Sequence, residues 1–408
     1  MKTIAAIIVT LNVCTLLLSC NQPKKKLPLQ SSETRLPKLV WKTLTTEGKT
    51  MMEGLIPLHI YKNGIICNGQ THTLDRERLL MFNIEDGSTL WEWKDIRQRR
   101  ERLFITMPIP CMDNILLLRN VNKLYGINVD NGTTIWEKRC ADGLDISTLG
   151  TIFFYAADGF VWRGNIHTGQ VDTLFFLSHI ISLPKLPTDI FRPIHTYPVV
   201  QKNTKDSLIV ITYCLGDSKS NQFDAYFLLY NISKRKVIYS QIIVPRSITM
   251  SGIFDVELYN NNLYFSAGRS IACHNLKTGK QLWKQDFGGG LIHSGMTIYQ
   301  DKIIAHADES HSYTYALNPK TGQILWKEQN GGTMFRPFFF MSGVIYFVCA
   351  GDGLLHALDA NTGKHIWQLE CPGEKENSND YFYGNVTGID GKIFVRSGFH
   401  LYCYKVAQ

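Results

Sequence analysis

The sequence predicts an all-β chain: an eight-bladed β-propeller of four-stranded antiparallel blades, closed by an N-terminal strand. Three observations predict it. A unit of strand, tight turn and strand recurs along the chain. Its period, roughly forty to fifty residues, suits a four-stranded blade. One tryptophan-bearing strand near the N-terminus has no turn before it, while the C-terminus is one strand short of a blade.

The repeat is an Asn or Asp, a Gly four residues on, and a Trp four after that. It is complete at Asn83/Gly87/Trp91, Asn128/Gly132/Trp136, Asn275/Gly279/Trp283, Asn318/Gly322/Trp326 and Asp359/Gly363/Trp367. Asn165/Gly169/Thr173 has lost the Trp, and Asn231/Arg235/Tyr239 has lost the Gly but keeps an aromatic. The Asx side chain bonds backbone two residues on and opens the turn; Gly accepts the positive φ that closes it. The Trp arrives on the following strand, where a large flat side chain fills the gap between sheets. A single hairpin cannot bury its apolar face, so copies must stack.

The chain in order begins with Lys2, a short apolar run from Ile4 to Leu18, and Leu17-Leu18-Ser19-Cys20. That run is too short for a membrane span and reads as a lipoprotein signal over residues 1–19. Cleavage before Cys20 would leave its thiol and new amine for acylation, and several acyl chains anchor stably. Residues 20–37 read as a lipidated polar tether, and 38–408 as one propeller domain. Leu39-Val-Trp41-Lys42 is the orphan strand.

Seven full blades are expected at roughly 52–94, 103–140, 144–177, 194–243, 250–287, 292–330 and 335–371, from their short apolar runs. The C-terminus then offers only three strands, around Tyr383–Ile389, Lys392–Arg396 and Leu401–Lys405. The orphan strand supplies the fourth, and pairing the chain ends removes open sheet edges. Seven blades is the alternative count, if a decayed repeat is misread. Insertions fall at 94–102, 178–197 and 374–380, and loops on a rigid scaffold carry function.

With 44% hydrophobic and 19% charged residues the chain has ample core and too little charge for disorder. A net charge of +8 without a basic stripe gives no case for nucleic acid. The eight cysteines after Cys20 form no CxxC or zinc spacing, and an oxidising compartment would permit disulfides that sequence cannot pair. There is no Gly-x-Ser-x-Gly elbow, His-Glu-x-x-His or Walker loop.

Two polar groupings remain. His306-Ala-Asp308-Glu309-Ser-His311 is expected in the B–C turn of blade six, as a polar hairpin tip or a metal ligand set. Arg192, His293 and Arg336 are expected in the loops entering innermost strands. With His306 they could gather at the axial funnel and bind a small anion or glycan; blade-to-blade salt bridges are the structural alternative. The Arg97/Arg99/Arg100/Arg102 run reads as a solvated loop.

Units such as Ala-Leu-Asp359-Ala-Asn-Thr-Gly363-Lys-His-Ile-Trp367 resemble pyrroloquinoline-quinone-type (PQQ-like) propeller repeats over nearly the whole chain after Cys20. With the lipobox and the closing strand, the chain is most similar to BamB-type lipoproteins. That resemblance implies a non-catalytic, monomeric periplasmic scaffold at the outer membrane, whose partners include barrel-assembly components. It implies a partner surface between blades three and four, here including Ile190, Phe191 and Arg192. Quinoprotein dehydrogenases share the repeat, but they stack the quinone on adjacent cysteines, and this sequence has no Cys-Cys pair. The expectation is therefore no cofactor and no enzyme.

Overall fold

The computed structural model describes residues 36–47, 58–70, 77–95, 103–104, 111–120, 123–140, 146–157, 159–180, 191–199, 207–217, 222–247, 253–287, 296–308, 312–329, 338–349, 351–375 and 380–407. Among these residues helix is confined to short turns such as Leu177–Ile180 and Pro372–Lys375. Among these residues no helix is long and apolar enough to cross a membrane. Cys20, Ile190, His293 and Arg336 lie outside the described residues, as do Glu309, His311 and the Arg97–Arg102 run.

Eight antiparallel sheets form, and in the first seven the strands lie in chain order from the axis outward. Blade one is His59–Tyr61, Gly64–Gln70, Glu77–Asn83 and Thr89–Glu92. In blade two, Leu103–Phe104 and Cys111–Met112 share the innermost position beside Ile115–Asn120, with Lys123–Asn128 and Thr134–Arg139 outside. Blade three is Ile146–Leu149, Ile152–Ala157, Phe160–Asn165 and Val171–Phe176. Blade four has the longest strands: Phe191–Val199, Leu208–Asp217, Gln222–Asn231 and Lys236–Ser247. Blade five is Ile253–Tyr259, Asn262–Ala267, Ser270–Asn275 and Gln281–Asp286. Blade six is Met296–Tyr299, Lys302–Asp308, Ser312–Leu317 and Ile324–Gln329. Blade seven is Phe339–Met341, Val344–Val348, Leu355–Asp359 and His365–Leu369.

Blade eight takes Phe382–Ile389, Lys392–Ser397 and His400–Lys405 from the C-terminus, and Lys38–Leu44 from the other end. The outer pair is antiparallel, Lys38 opposite Lys405 and Leu44 opposite His400. The count is eight, not seven, and the orphan strand closes the ring.

The repeat turn behaves as its residues demand. In blade one Asn83 Oδ1 accepts from the Glu85 amide at 2.8 Å, and the Gly87 amide donates to the Asn83 carbonyl at 2.9 Å. Gly132, the equivalent in blade two, sits at φ +70° and is also a floor: a Cβ there would lie 2.5 Å from Cε3 of Trp91 in blade one. The tryptophan of one blade therefore lies on the turn glycine of the next. Its indole N–H then caps a carbonyl of that same turn: Trp41 to Ile84, Trp91 to Val129, Trp136 to Ile166, Trp283 to Pro319 and Trp326 to Ala360. Tyr239 does the same through its hydroxyl, 2.5 Å from the Leu276 carbonyl. The orphan Trp41 thus does the work of a repeat tryptophan.

Two seams lack this lock. Between blades three and four, Thr173 replaces the indole and Arg235 is held at φ +50° where Gly is usual. Phe175 against Tyr230, 4.3 Å between ring centres, fills that gap. Between seven and eight, Trp367 packs in an apolar cluster with Tyr346 and Val406. Blade eight has no C–D hairpin to receive it, because its outer strand comes from the far end of the chain.

The core is distributed. Each of eight apolar clusters occupies one seam, as Ile66, Met81 and Trp91 of blade one meet Leu116 and Ile127 of blade two. Each fully buried Leu, Ile, Val or Phe is worth roughly 1.5–3 kcal/mol. A blade without neighbours would expose both faces, so stability resides in the seams.

Two expected loop positions are strand. Phe191 and Arg192 begin the innermost strand of blade four, Arg192 opposite Cys214. Pro193 follows in that edge strand, where a missing N–H is tolerated, and the register shifts before His195. His306 lies not in a turn but within the second strand of blade six, opposite Thr314, and is fully buried. The ladder continues to Asp308 opposite Ser312, so a shorter hairpin remains than the polar run implied.

Candidate functional site

The A–B and C–D turns emerge on one face, and their side chains are sewn together across seams. Lys62 Nζ meets Asp130 Oδ1 at 2.6 Å, Lys392 Nζ meets Glu85 Oε2 at 2.5 Å, and Lys302 Nζ meets Asn361 Oδ1 at 3.0 Å. Such exposed pairs add little stability singly, but they engage the face's polar groups internally.

The opposite face carries the B–C turns and the blade-to-blade loops, and its strand ends hold buried polar groups. Near the ring closure, the Arg396 guanidinium donates to Asn68 Oδ1 and, at 2.6 Å, to the Tyr383 hydroxyl. It also lies 4.7 Å from the Tyr383 ring centre. Burial pushes the Tyr383 phenol up, against the pull of Arg396. Chain ends and first blade thus meet around a charged, desolvated group, costly to strand if either partner were removed.

Asp380, expected in a polar loop, is buried instead, with Oδ2 3.2 Å from His400 Nδ1 and Oδ1 without a hydrogen-bond partner. At the B–C turn of blade seven, ligand-capable atoms of Cys349, Asp352 and His356 lie within 4.8 Å of one another. On the axis side of blade five, Asp255 touches both neighbours. It accepts from the Tyr197 hydroxyl at 3.4 Å and the Met296 amide at 3.2 Å. Desolvation first, then Asp255, pushes the nearby Glu257 carboxyl up to about 7.

Of the residues singled out from sequence, the structure describes Phe191 and Arg192 in blade four and His306 in blade six, in three separate strand positions. None of the groupings just described contains them. Sequence reasoning missed Arg396, Asp380, His400 and the Cys349 group. A strand-end Arg after Ile-Phe-Val was the one legible signal; the others depend on turns closing.

A family profile described as outer membrane protein assembly factor BamB matches residues 246–407, covering blades five to eight. Over those blades the chain is similar to PQQ-like propellers. BamB from Moraxella catarrhalis superposes with TM-score 0.57 at 13% identity, over 91% of this chain and 98% of that one. A europium-containing methanol dehydrogenase gives 0.66 at 8%, over 92% and 94%. Quinohemoprotein alcohol dehydrogenase from Comamonas testosteroni gives 0.63 at 9%, over 91% and 77%. No curated protein matches in sequence. At these identities the superpositions show the propeller fold alone.

A quinone with a hard cation would need oxygen ligands converging on one ion. Among the described residues, the convergent metal-capable group holds one carboxylate beside a thiol and an imidazole. Those residues do not fit such a site. All eight described thiols are outside disulfides, six of them buried.

Proposed function

We propose that this PQQ-like propeller is a non-catalytic scaffold of the bacterial cell envelope, binding partner proteins during assembly of outer-membrane β-barrels. The observation that carries the reading is the match of residues 246–407 to the BamB profile. The geometry supports it. Six seams are locked by an aromatic on the adjoining turn, which gives a stiff ring, and stiffness lowers the ordering cost of binding. The turn face is occupied with its own ion pairs, which leaves the loop face to partners. Blade four projects the longest strands there, with Phe191 and Arg192 at the start of its inner strand. Cys20 tethers the ring to the membrane through its lipid, with the propeller in the periplasm.

The test is loss of the gene. Outer-membrane β-barrel proteins should fall in abundance while lipoproteins and inner-membrane proteins hold steady, and a Cys20→Ala chain should not restore them. Unchanged barrel levels, with unchanged detergent sensitivity, would overturn the reading.

A further inference from the structure

The B–C turn of blade seven is a built cluster that the scaffold reading does not use. Cys349 follows directly on the second strand, Asp352 lies in the turn, and His356 is on the third strand. The Gly353 amide donates to the Cys349 carbonyl at 2.9 Å, closing the hairpin. Gly353 itself is at φ +68°, with no room for a Cβ beneath Tyr381. Asp352 Oδ1 accepts the Leu354 amide at 2.9 Å, which fixes the carboxylate. His356 Nε2 faces that carboxylate, 3.1 Å from Oδ2, and its ring is stacked on Phe347 with planes 7° apart. Its Nδ1 is buried with no hydrogen-bond partner.

The three donors are a thiol, an imidazole and a carboxylate, the mixture that favours a borderline-soft divalent ion over calcium or magnesium. Bond lengths of about 2.3 Å for Zn–S and 2.1 Å for Zn–N put two ligand atoms of a tetrahedral ion about 3.6 Å apart. The three ligand atoms already lie within 4.8 Å. Contraction by up to roughly 1 Å, which side-chain rotation at the turn can supply, closes the set.

We propose that Cys349, Asp352 and His356 bind one zinc-type ion, with a fourth coordination position for water or a partner's side chain. His356 is fully buried, whereas the Asp352 side chain is 13% exposed, so entry is past the carboxylate from the loop face. Across the seam, His306 shares the face of blade six on which Ile304 packs against blade seven, since alternate strand residues share a face. His365 reaches the same seam, its Nε2 3.8 Å from Glu328 Oε1 of blade six. Binding would release the thiol proton, because thiolate is the ligand form.

The test titrates the chelator-stripped, reduced chain with Co²⁺. A thiolate-to-cobalt charge-transfer band should saturate at one equivalent, and added Zn²⁺ should abolish it. The band should disappear in Cys349→Ser and persist in Cys111→Ser. Should Cys349→Ser fail to fold, Asp352→Asn on the turn keeps the question answerable. Zinc should raise the melting temperature of the parent chain and raise that of Asp352→Asn by much less, with affinity down tenfold or more. No band, a band undiminished in Cys349→Ser, or equal zinc shifts for parent and Asp352→Asn would overturn the site.

Discussion

The seam between blades one and two and that between three and four do the same job with different chemistry. In the first, Trp91 lies on Gly132 and donates to the Val129 carbonyl at 2.6 Å. In the second, neither the indole nor the glycine survives, and Phe175 packs on Tyr230 instead. Shape complementarity across a seam can thus be met by apolar filling alone. Only the docked seams also fix one turn's height against the next blade through a directed hydrogen bond. The undocked seam adjoins blade four, whose strands outgrow the rest of the ring. The repeat is relaxed where the architecture is elaborated.

The comparison breaks most readily at Gly132. Gly132→Val would force a β-branched residue to φ +70° and drive its Cβ into Trp91. Strain of roughly 1–2 kcal/mol and overpacking of about 1–3 kcal/mol should add in denaturant unfolding. Gly150→Val, at φ +57° with nothing within 4 Å, should show the strain alone. Equal losses at the two sites would mean that the ring contact is immaterial.

A second seam contact depends on pH. Asp255 bonds to blades four and six near the axis, and its charge reaches Glu257 on the same strand. Glu257, with its carboxyl pushed up to about 7, binds its proton more tightly in the folded chain than in the unfolded one. Its contribution to stability is full below the ordinary carboxylate pKa. It falls as pH rises through about 7. Glu257→Gln should remove that decline, stabilising the fold by up to about 3 kcal/mol at pH 8 and by little at pH 4. A pH-independent difference between the two melting curves would refute the assignment.

The smallest effect sharpens the contrast. Thr173→Trp alone should stabilise the three–four seam little, because Arg235 occupies the position where an indole would rest. Thr173→Trp with Arg235→Gly should show a favourable coupling of about 1 kcal/mol in a double-mutant cycle. Strict additivity would mean that the motif cannot be rebuilt by two residues.

These contrasts mark what the sequence made legible. Asx, Gly and Trp each carry one physical duty at fixed spacing, so blade number, turn geometry and even the role of Trp41 could be read before any coordinates. Polar strand ends could not. His306 stands in an Ala-His-Ala-Asp run that reads as a turn, yet its alternation with Ile304 places it in the seam. Arg192 precedes a proline in a loop-like stretch, but blade four extends its inner strand through both. Asp380 closes a polar run, and only the fold brings His400 to it. Cys349, Asp352 and His356 converge because Gly353 closes a tight hairpin, which no standard ligand spacing announces.

The central claim is that partners are met on the loop face beside blade four, and two photo-reactive positions test it directly in cells. One probe replaces Phe191 and the other replaces Lys62 on the turn face, each in the full-length lipidated chain. Crosslinks to β-barrel assembly components from position 191, with few or none from position 62, are the predicted result. Capture of those components from position 62 and not from 191 would contradict the account.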